Sequence, residues 1–138
     1  MSAVLMLDTN AVSVLVKGQA DGLSKTLEQR LFCISVITEA ELRFGLARRP
    51  VNTDLRSIIE NLLRATDIRP WNSACAARYG HLRAELEAFG KPLGPIDLLI
   101  ATHALAEDCT LVSADRAFAH VPDLRRLDWT AAPANKTA

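Results

Sequence analysis

The sequence predicts an α/β domain in which helices cover both faces of a central parallel sheet of about five strands. Short apolar runs alternate with helical patterns along the chain, and the segments between them are short. The first run, residues 3–7, is continuously apolar, as in a strand that is buried on both faces. The 138 residues suffice for one core, so we expect a single domain over residues 1–130 and a disordered tail over residues 131–138.

The first half of the chain contains two strands and three helices. Residues 3–7 form the first strand, and helical patterns follow over residues 11–17 and 23–31. Phe32–Ser35 is a second strand, and Ser35 is a candidate N-cap for a helix over Val36–Arg48. Pro50 lies just beyond the predicted end of that helix, where proline is common.

Proline and glycine mark the element boundaries of the second half. Pro70 ends a weak third strand, and Gly90 is a helix stop signal. Pro95 opens a helix, because proline at the first helical position loses no hydrogen bond. The predicted elements are helices over residues 53–64, 72–89 and 95–107 and strands over residues 66–69, 110–113 and 126–129.

Composition excludes several classes of protein. Sixteen basic residues balance sixteen acidic ones, so no bulk positive field indicates nucleic acid as a ligand. Three widely spaced cysteines without a CxxC motif are expected to be free thiols of a reducing compartment. The apolar stretch at the start is too short for a signal peptide or a membrane span. We therefore expect a soluble, cytoplasmic protein.

Two helices carry a carboxylate within the stripe that periodicity assigns to the core. Glu41 falls in this stripe of the helix Val36–Arg48, and Asp97 falls in that of the helix over residues 95–107. The stripes read Ile37, Ala40 and Phe44 in the first helix and Ile100, Ala101 and Ala104 in the second. Residues three and four apart share a helical face, so both acids are expected to point inward, where an unpaired charge is costly.

Two further acids follow apolar strands. Asp8 comes directly after the first strand, and Asp115 follows the fourth by way of Ser113. In parallel α/β sheets, ligands bind beyond the carboxyl ends of the strands. The helices that carry Glu41 and Asp97 begin near that same edge, so we expect all four acids to converge there.

Each acid also has an ordinary structural interpretation. The alternative for Asp8 is an N-cap role, and the alternative for Glu41 is an ion pair with Arg43 or Arg48. Asp97 has a favourable place in the helix dipole as its alternative, and Asp115 has an Asx turn. These independent roles do not predict that four acids meet at one edge.

Clustered carboxylates require a proton or a cation. Two carboxylates about 4 Å apart repel each other by about 4 kcal/mol at an effective dielectric constant of about 20. Oxygen ligands without histidine or cysteine select Mg²⁺, with Mn²⁺ as a substitute. Such a centre activates water and stabilises charge on phosphate, so the expected reaction is metal-assisted phosphodiester hydrolysis.

Ordered segments of the chain resemble one protein family. They are residues 6–10 (MLDTN), 34–45 (ISVITEAELRFG), 83–86 (RAEL), 94–101 (GPIDLLIA), 111–118 (LVSADRAF) and 121–129. Together they resemble the PIN-domain ribonucleases, and within these the VapC-type toxins of bacterial toxin–antitoxin pairs. The resemblance covers nearly the whole chain.

The resemblance implies roles for individual residues. The three most characteristic acids of the family match Asp8, Glu41 and Asp97, and the fourth position matches Asp115. Asp8, Asp97 and Asp115 are the implied metal ligands, while Glu41 holds a second metal ion or positions the attacking water. The implied supporting polar residues are Thr9, Asn10 and Ser113, the last replacing a threonine that is usual in the family.

The resemblance also implies partners. Family members usually pair as homodimers and are inhibited by an antitoxin (a VapB-like protein) whose C-terminal segment wraps the toxin and fills the active-site groove. They bind DNA only through that antitoxin, and their substrates are structured RNAs, transfer RNA prominent among them. Hydrolysis is expected to leave 5′-phosphate and 3′-hydroxyl ends.

Two other function classes remain as alternatives. A weakly active or inactive PIN domain that regulates transcription with its antitoxin is one, although the retention of all four acids argues against it. A phosphoryl-transfer switch also places aspartate after a first strand. That class fits poorly, because Asn10 and Arg69 occupy positions where a phosphatase or a receiver domain needs aspartate.

Overall fold

A five-stranded sheet runs through the centre of the protein, as the sequence predicts. The computed structural model describes residues 3–49 and 53–131. Its strands are β1 (Leu5–Leu7), β2 (Phe32–Ser35), β3 (Asp67–Arg69), β4 (Thr110–Val112) and β5 (Arg126–Leu127). They lie in the order β3-β2-β1-β4-β5, and every neighbouring pair is parallel. The carboxyl ends of all the strands therefore meet at one edge.

Six α-helices surround the sheet. They are α1 (Thr9–Val16), α2 (Asp21–Leu27), α3 (Val36–Arg48), α4 (Thr53–Ala65), α5 (Ser73–Ala88) and α6 (Pro95–Ala106). The bounds of α3 and the start of α6 are as predicted, and the Ser35 hydroxyl caps α3 by accepting from the Ile37 amide at 3.0 Å. A 3₁₀ helix over Arg116–His120 was not predicted.

Several predicted boundaries were wrong by two to four residues. α1 begins at Thr9 rather than at residue 11, because Asp8 caps it. α2 ends at Leu27, four residues earlier than expected. Strand β1 begins at Leu5, although the apolar run begins at residue 3. The predicted tail cannot be compared, since residues 132–138 lie outside the described residues, as does Pro50.

Alternate side chains of the central strand enter two separate cores, which gives the protein its three layers. Leu5 and Leu7 of β1 pack into a cluster with α1, α2 and α4. Met6, between them, packs with β4 and with helices α5 and α6 on the opposite face. Buried strands that contact helices on both faces have continuous apolar sequences, which explains the initial run.

The predicted apolar stripe of α3 was wrong. Ala40 is exposed and Phe44 is 61% exposed, although both were assigned to the core. The buried residues of this helix are Thr38, Leu42 and Leu46, and the two leucines pack with α4 side chains. Because α3 packs against α4 as well as the sheet, its buried face is rotated from the predicted one.

Other sequence expectations agree with the structure. All three cysteines are free and buried, and the sulfur atoms of Cys33 and Cys109 lie 4.0 Å apart. Trp71 packs edge-on against Tyr79, while its indole nitrogen donates to the Leu99 carbonyl at 3.1 Å. None of the described helices has the length and apolar content needed to cross a membrane.

Candidate active site

Parallel pairing of β1 with β4 positions the first part of the site. Leu7 lies opposite Val112 in the sheet, so Asp8 and Ser113 leave neighbouring strands side by side. The Asp8 amide donates to the Val112 carbonyl at 3.1 Å, and the Asp8 side chain is only 6% exposed. Its Oδ1 accepts from the Ala11 amide at 2.8 Å, which makes Asp8 the N-cap of α1.

Ser113 joins two of the acids. This fully buried hydroxyl hydrogen-bonds the Asp8 side chain, which lowers the pKa of Asp8, and accepts from the Asp115 amide at 3.0 Å. Asp115 is exposed, and its Oδ1 caps the 3₁₀ helix by accepting from the Ala117 amide at 2.9 Å. The N-cap and turn interpretations of Asp8 and Asp115 are thus both correct. Each cap uses Oδ1, and a carboxylate has a second oxygen to offer.

The charges of the four acids act on one another. Burial raises the pKa of Asp97, and the negative charges of Asp115, Asp8 and Glu41 raise it further. Burial also raises the pKa of Asp8, against its two hydrogen bonds, and Asp115 adds to the increase. The four carboxylates come from β1, α3, α6 and the segment after β4, so the fold brings all four predicted acids into one electrostatic environment.

The four acids form no ion pairs in the part of the chain that the structure describes. Within residues 3–49 and 53–131, none of these four carboxylates has an arginine, lysine or histidine nitrogen within 4.0 Å. The alternative in which Glu41 pairs with Arg43 or Arg48 was therefore wrong. Arg43 instead pairs with Glu39 and Glu60, at 2.9 and 3.3 Å.

The donor set fits a hard cation by its chemistry, although the carboxylates do not surround one point. In the described part of the chain, no three histidine, cysteine, aspartate or glutamate side chains are close enough together to hold a metal ion as they stand. The Thr9 Oγ1 atom is buried and has no hydrogen-bond partner among the described atoms. All available ligands are oxygens, which suits Mg²⁺.

The other supporting residues occupy distinct places. Asn10 is exposed in the first turn of α1, one residue beyond Thr9. The buried His103 of α6 places Nδ1 2.7 Å from the hydroxyl of Ser35, the N-cap of α3. Helical periodicity does not reveal this contact. Nothing in the sequence indicates the partner of this histidine.

A groove borders one of the four acids. It has a volume of about 240 Å³, and Thr9 and Glu41 are among its lining residues. Apolar side chains of α3 and α4 line it, and the cations among its lining residues are Lys17, Arg48 and Arg49. The exposed ring of Phe44 also borders it. The sequence did not indicate that Lys17 or Phe44 would border the site.

Comparison with known proteins identifies the class to which this fold and site belong. The family model described as the PIN domain matches residues 5–124. The chain is therefore a member of the PIN-domain family, as the ordered segments suggested.

Closer relatives define the branch of that family. The tRNA(fMet)-specific endonuclease VapC of Shigella flexneri is 33% identical over 128 residues, which is 91% of this chain and 97% of that protein. Ribonuclease VapC2 of Rickettsia felis is 34% identical over 131 residues, with 91% and 98% covered. The chain belongs with these VapC ribonucleases.

A solved structure agrees with this assignment. The crystal structure of VapBC2 from Rickettsia felis, bound to a DNA fragment from its promoter, contains a chain that superimposes with a TM-score of 0.83. That chain is 33% identical, and the match covers 90% of this protein and 97% of that chain. The three-layer architecture is thus that of a VapC protein.

Proposed function

We propose that this protein is a Mg²⁺-dependent endoribonuclease toxin that hydrolyses phosphodiester bonds in structured RNA and leaves 5′-phosphate and 3′-hydroxyl ends. The observation that carries the proposal is the electrostatic repulsion that Asp8, Glu41 and Asp115 exert on Asp97, while none of the four forms an ion pair within the described residues. Family membership supports it, since the relatives are named as ribonucleases. Like charges accumulate in a folded protein where a ligand of opposite charge offsets them.

Each acid has a proposed role. Asp8, Asp97 and Asp115 hold Mg²⁺, with Mn²⁺ as a substitute, and the bound ion supplies an activated water and charge stabilisation on the phosphate. Glu41 positions the attacking water or holds a second ion. Ser113 and the unpartnered Thr9 hydroxyl orient the carboxylates, and Asn10 faces solvent where it can reach the substrate.

The metal requirement is tested by RNA cleavage with matched variants. We expect purified protein to cleave RNA with Mg²⁺ and to lose that activity in EDTA and in the variant Asp8→Asn. Asparagine is as good an N-cap as aspartate, so this change removes the charge while preserving the cap of α1. The control Asp21→Asn alters an exposed acid at the start of α2 and keeps full activity. Equal cleavage under all conditions would defeat the mechanism.

Transfer RNA is the proposed substrate class. A relative that is 33% identical is named a tRNA(fMet)-specific endonuclease. The test is cleavage of unfractionated transfer RNA followed by sequencing of the new ends, and mass spectrometry of the products identifies the phosphate on the 5′ side. Cleavage at one position in a few transfer RNAs supports this substrate, whereas uniform degradation contradicts it.

The proposed partners are a VapB-like antitoxin and a second copy of the chain. The VapBC2 complex was solved on promoter DNA, which supports DNA binding through the antitoxin and not by this chain alone. A segment of the antitoxin lying in the groove at Thr9 and Glu41 would block access to the acids. We expect co-expression with the antitoxin to abolish cleavage and to confer operator binding, and light scattering of the isolated chain to give the mass of a homodimer.

A further inference from the structure

An exposed aromatic ring lies one helical turn from the proposed catalytic acids. Phe44 follows Glu41 by three residues on α3, a spacing at which side chains are neighbours, about 5–6 Å apart at Cβ. The ring is 61% exposed, and the core of α3 is made by other residues. Burial in this chain therefore does not account for an aromatic residue at this position.

A cation covers part of that ring. The guanidinium carbon of Arg48 lies 5.4 Å from the ring centroid of Phe44. Within the part of the chain that the structure describes, Arg48 forms no ion pair. Arg43 on the same helix differs, because Glu39 and Glu60 both neutralise it. Arg48 thus keeps a charge available to an anionic ligand.

Both residues line the same groove as Glu41. Residues three and seven positions after Glu41 lie on the same side of the helix, so Phe44 and Arg48 continue one face outward from the site. Lys17 and Arg49 line the same groove. This surface presents a carboxylate, an aromatic ring and cations in that order. A phosphodiester at the metal site, followed by a base and further phosphates, would contact these groups in the same order.

We infer that Phe44 and Arg48 form a nucleotide subsite beside the cleaved bond, in which the ring stacks on the neighbouring base and the guanidinium pairs with its phosphate. This inference rests on the proposed ribonuclease function. Stacking on an aromatic ring accepts any base, because every base has a π-face. The subsite therefore holds the strand in place and does not select its sequence.

The stacking role of Phe44 is tested by replacing its aromatic ring with a bulky aliphatic side chain. The probe is a synthetic RNA hairpin that contains the cleavage site mapped in transfer RNA. We expect Phe44→Leu to raise KM about tenfold, since loss of base stacking has about that effect, with kcat within about twofold because the contact is made equally in the ground state. Phe44→Tyr should cleave like the native protein. The control is Leu31→Ala, which removes a side chain that is 79% exposed and lies just before β2, at the opposite edge of the sheet. This change should leave KM and kcat unaltered.

A second measurement changes the RNA instead. Hairpins with an abasic nucleotide on either side of the cleaved bond retain every phosphate but lose one base. At one of these two positions, the abasic hairpin should have a KM about tenfold higher with native protein and no further increase with Phe44→Leu. Equal losses in both proteins, or no loss at either position, would overturn the stacking contact.

The phosphate contact is tested with a matched pair of arginines. Arg48→Gln should reduce the slope of log KM against log salt by about one, because one phosphate contact is lost. Arg43→Gln, which removes an arginine already paired with two carboxylates, should leave the slope unchanged. Equal slopes for both variants would contradict the assignment of Arg48.

The outcomes separate this inference from the function on which it rests. If the native protein cleaves no RNA with Mg²⁺, the proposed function fails and the subsite fails with it. If it cleaves the hairpin but Phe44→Leu has an unchanged KM, the function stands and the subsite alone is wrong. In that case the exposed ring would belong to another contact, such as one with a protein partner.

Discussion

Two groups of carboxylates in this protein have opposite electrostatic surroundings. On the surface, arginines lie beside them, as in the pairs Arg83–Glu87 at 2.9 Å and Arg125–Asp108 at 2.8 Å. At the carboxyl edge of the sheet, Asp8 and Asp97 instead face other carboxylates, and the pKa of each is raised. The same side chain is thus neutralised in one region and left opposed by like charges in the other.

The difference separates acids that are ion-paired on the surface from acids that we propose to serve a ligand. A surface ion pair contributes little to stability, but it removes unfavourable repulsion. Unpaired, partly buried acids lower the stability of the folded chain, so their retention indicates a function at that place. This comparison would be wrong if an acid at the sheet edge could be removed without loss of activity, or if removal of a surface acid abolished activity.

The largest expected effect comes from Asp97→Asn. This change removes one proposed metal ligand, so we expect RNA cleavage to fall by at least about 100-fold. It also removes a charge that burial and three other acids disfavour, so the melting temperature at pH 7 should rise. Activity and thermal unfolding are measured on the same preparation.

The matched control for Asp97→Asn is Glu87→Gln on α5. Glu87 is ion-paired with Arg83 and both side chains are more than half exposed, so neither activity nor melting temperature should change measurably. Similar losses of activity in the two variants would show that the edge acids are not special.

A smaller effect is expected from Ser113. The hydrogen bond from its hydroxyl lowers the pKa of Asp8, so Ser113→Ala should raise that pKa further and reduce the fraction of ionised Asp8. We expect cleavage at pH 6 to fall by about tenfold, in the range of a lost ligand-orienting contact, and to recover partly as the pH rises. Ser113→Thr retains the hydroxyl and should behave like the native protein. A pH profile of Ser113→Ala parallel to that of the native protein would contradict this role.

The unpaired acids should also make stability depend on pH and Mg²⁺. A carboxyl whose pKa is raised in the folded state contributes most below its ordinary value near 3.8, and that contribution is lost as pH rises through the folded value. Mg²⁺ at 100 times its dissociation constant should restore about 2.7 kcal/mol at pH 7, and less at pH 5, where protons compete. Melting curves with and without Mg²⁺ test this expectation. The double variant Asp8→Asn/Asp97→Asn should lose both dependences, and an unchanged Mg²⁺ effect in it would place the ion elsewhere.

The fold was predicted well because apolar runs and residues at helix boundaries are both local signals. Continuous apolar runs identified the buried strands, and boundary residues such as Ser35 and Pro95 fixed helix starts. What failed depended on contacts between elements. The exposed Phe44 was assigned to the core because periodicity does not show that α3 packs against α4.

The site was predicted in part for a related reason. The rule that ligands bind beyond the carboxyl ends of parallel strands located Asp8 and Asp115, and two helices that begin near that edge supplied Glu41 and Asp97. The hydrogen bonds of Ser113 and the pairing of Ser35 with His103 join residues distant in sequence, so no local pattern reveals them. Sequence thus indicates which residue types meet, while the structure shows how each is held.

The smallest predicted effect concerns His103, whose response to pH has the opposite sign to that of the edge acids. Burial lowers the pKa of this imidazole below its ordinary 6.5, with the charge of Arg69 adding to the decrease and that of Glu107 opposing it. A base with a lowered pKa contributes stability above its unfolded value, and that contribution is lost as pH falls through the folded value.

We therefore expect the free energy of unfolding, measured by urea denaturation, to fall between pH 7 and pH 5 in Asp8→Asn/Asp97→Asn, where the acids no longer oppose the trend. Its slope is at most about 1.4 kcal/mol per pH unit. Adding His103→Gln to that background should flatten the slope, although the loss of the bond to Ser35 lowers stability at every pH. If the slope persists in the triple variant, the pH dependence belongs to a group other than His103 and the two edge acids.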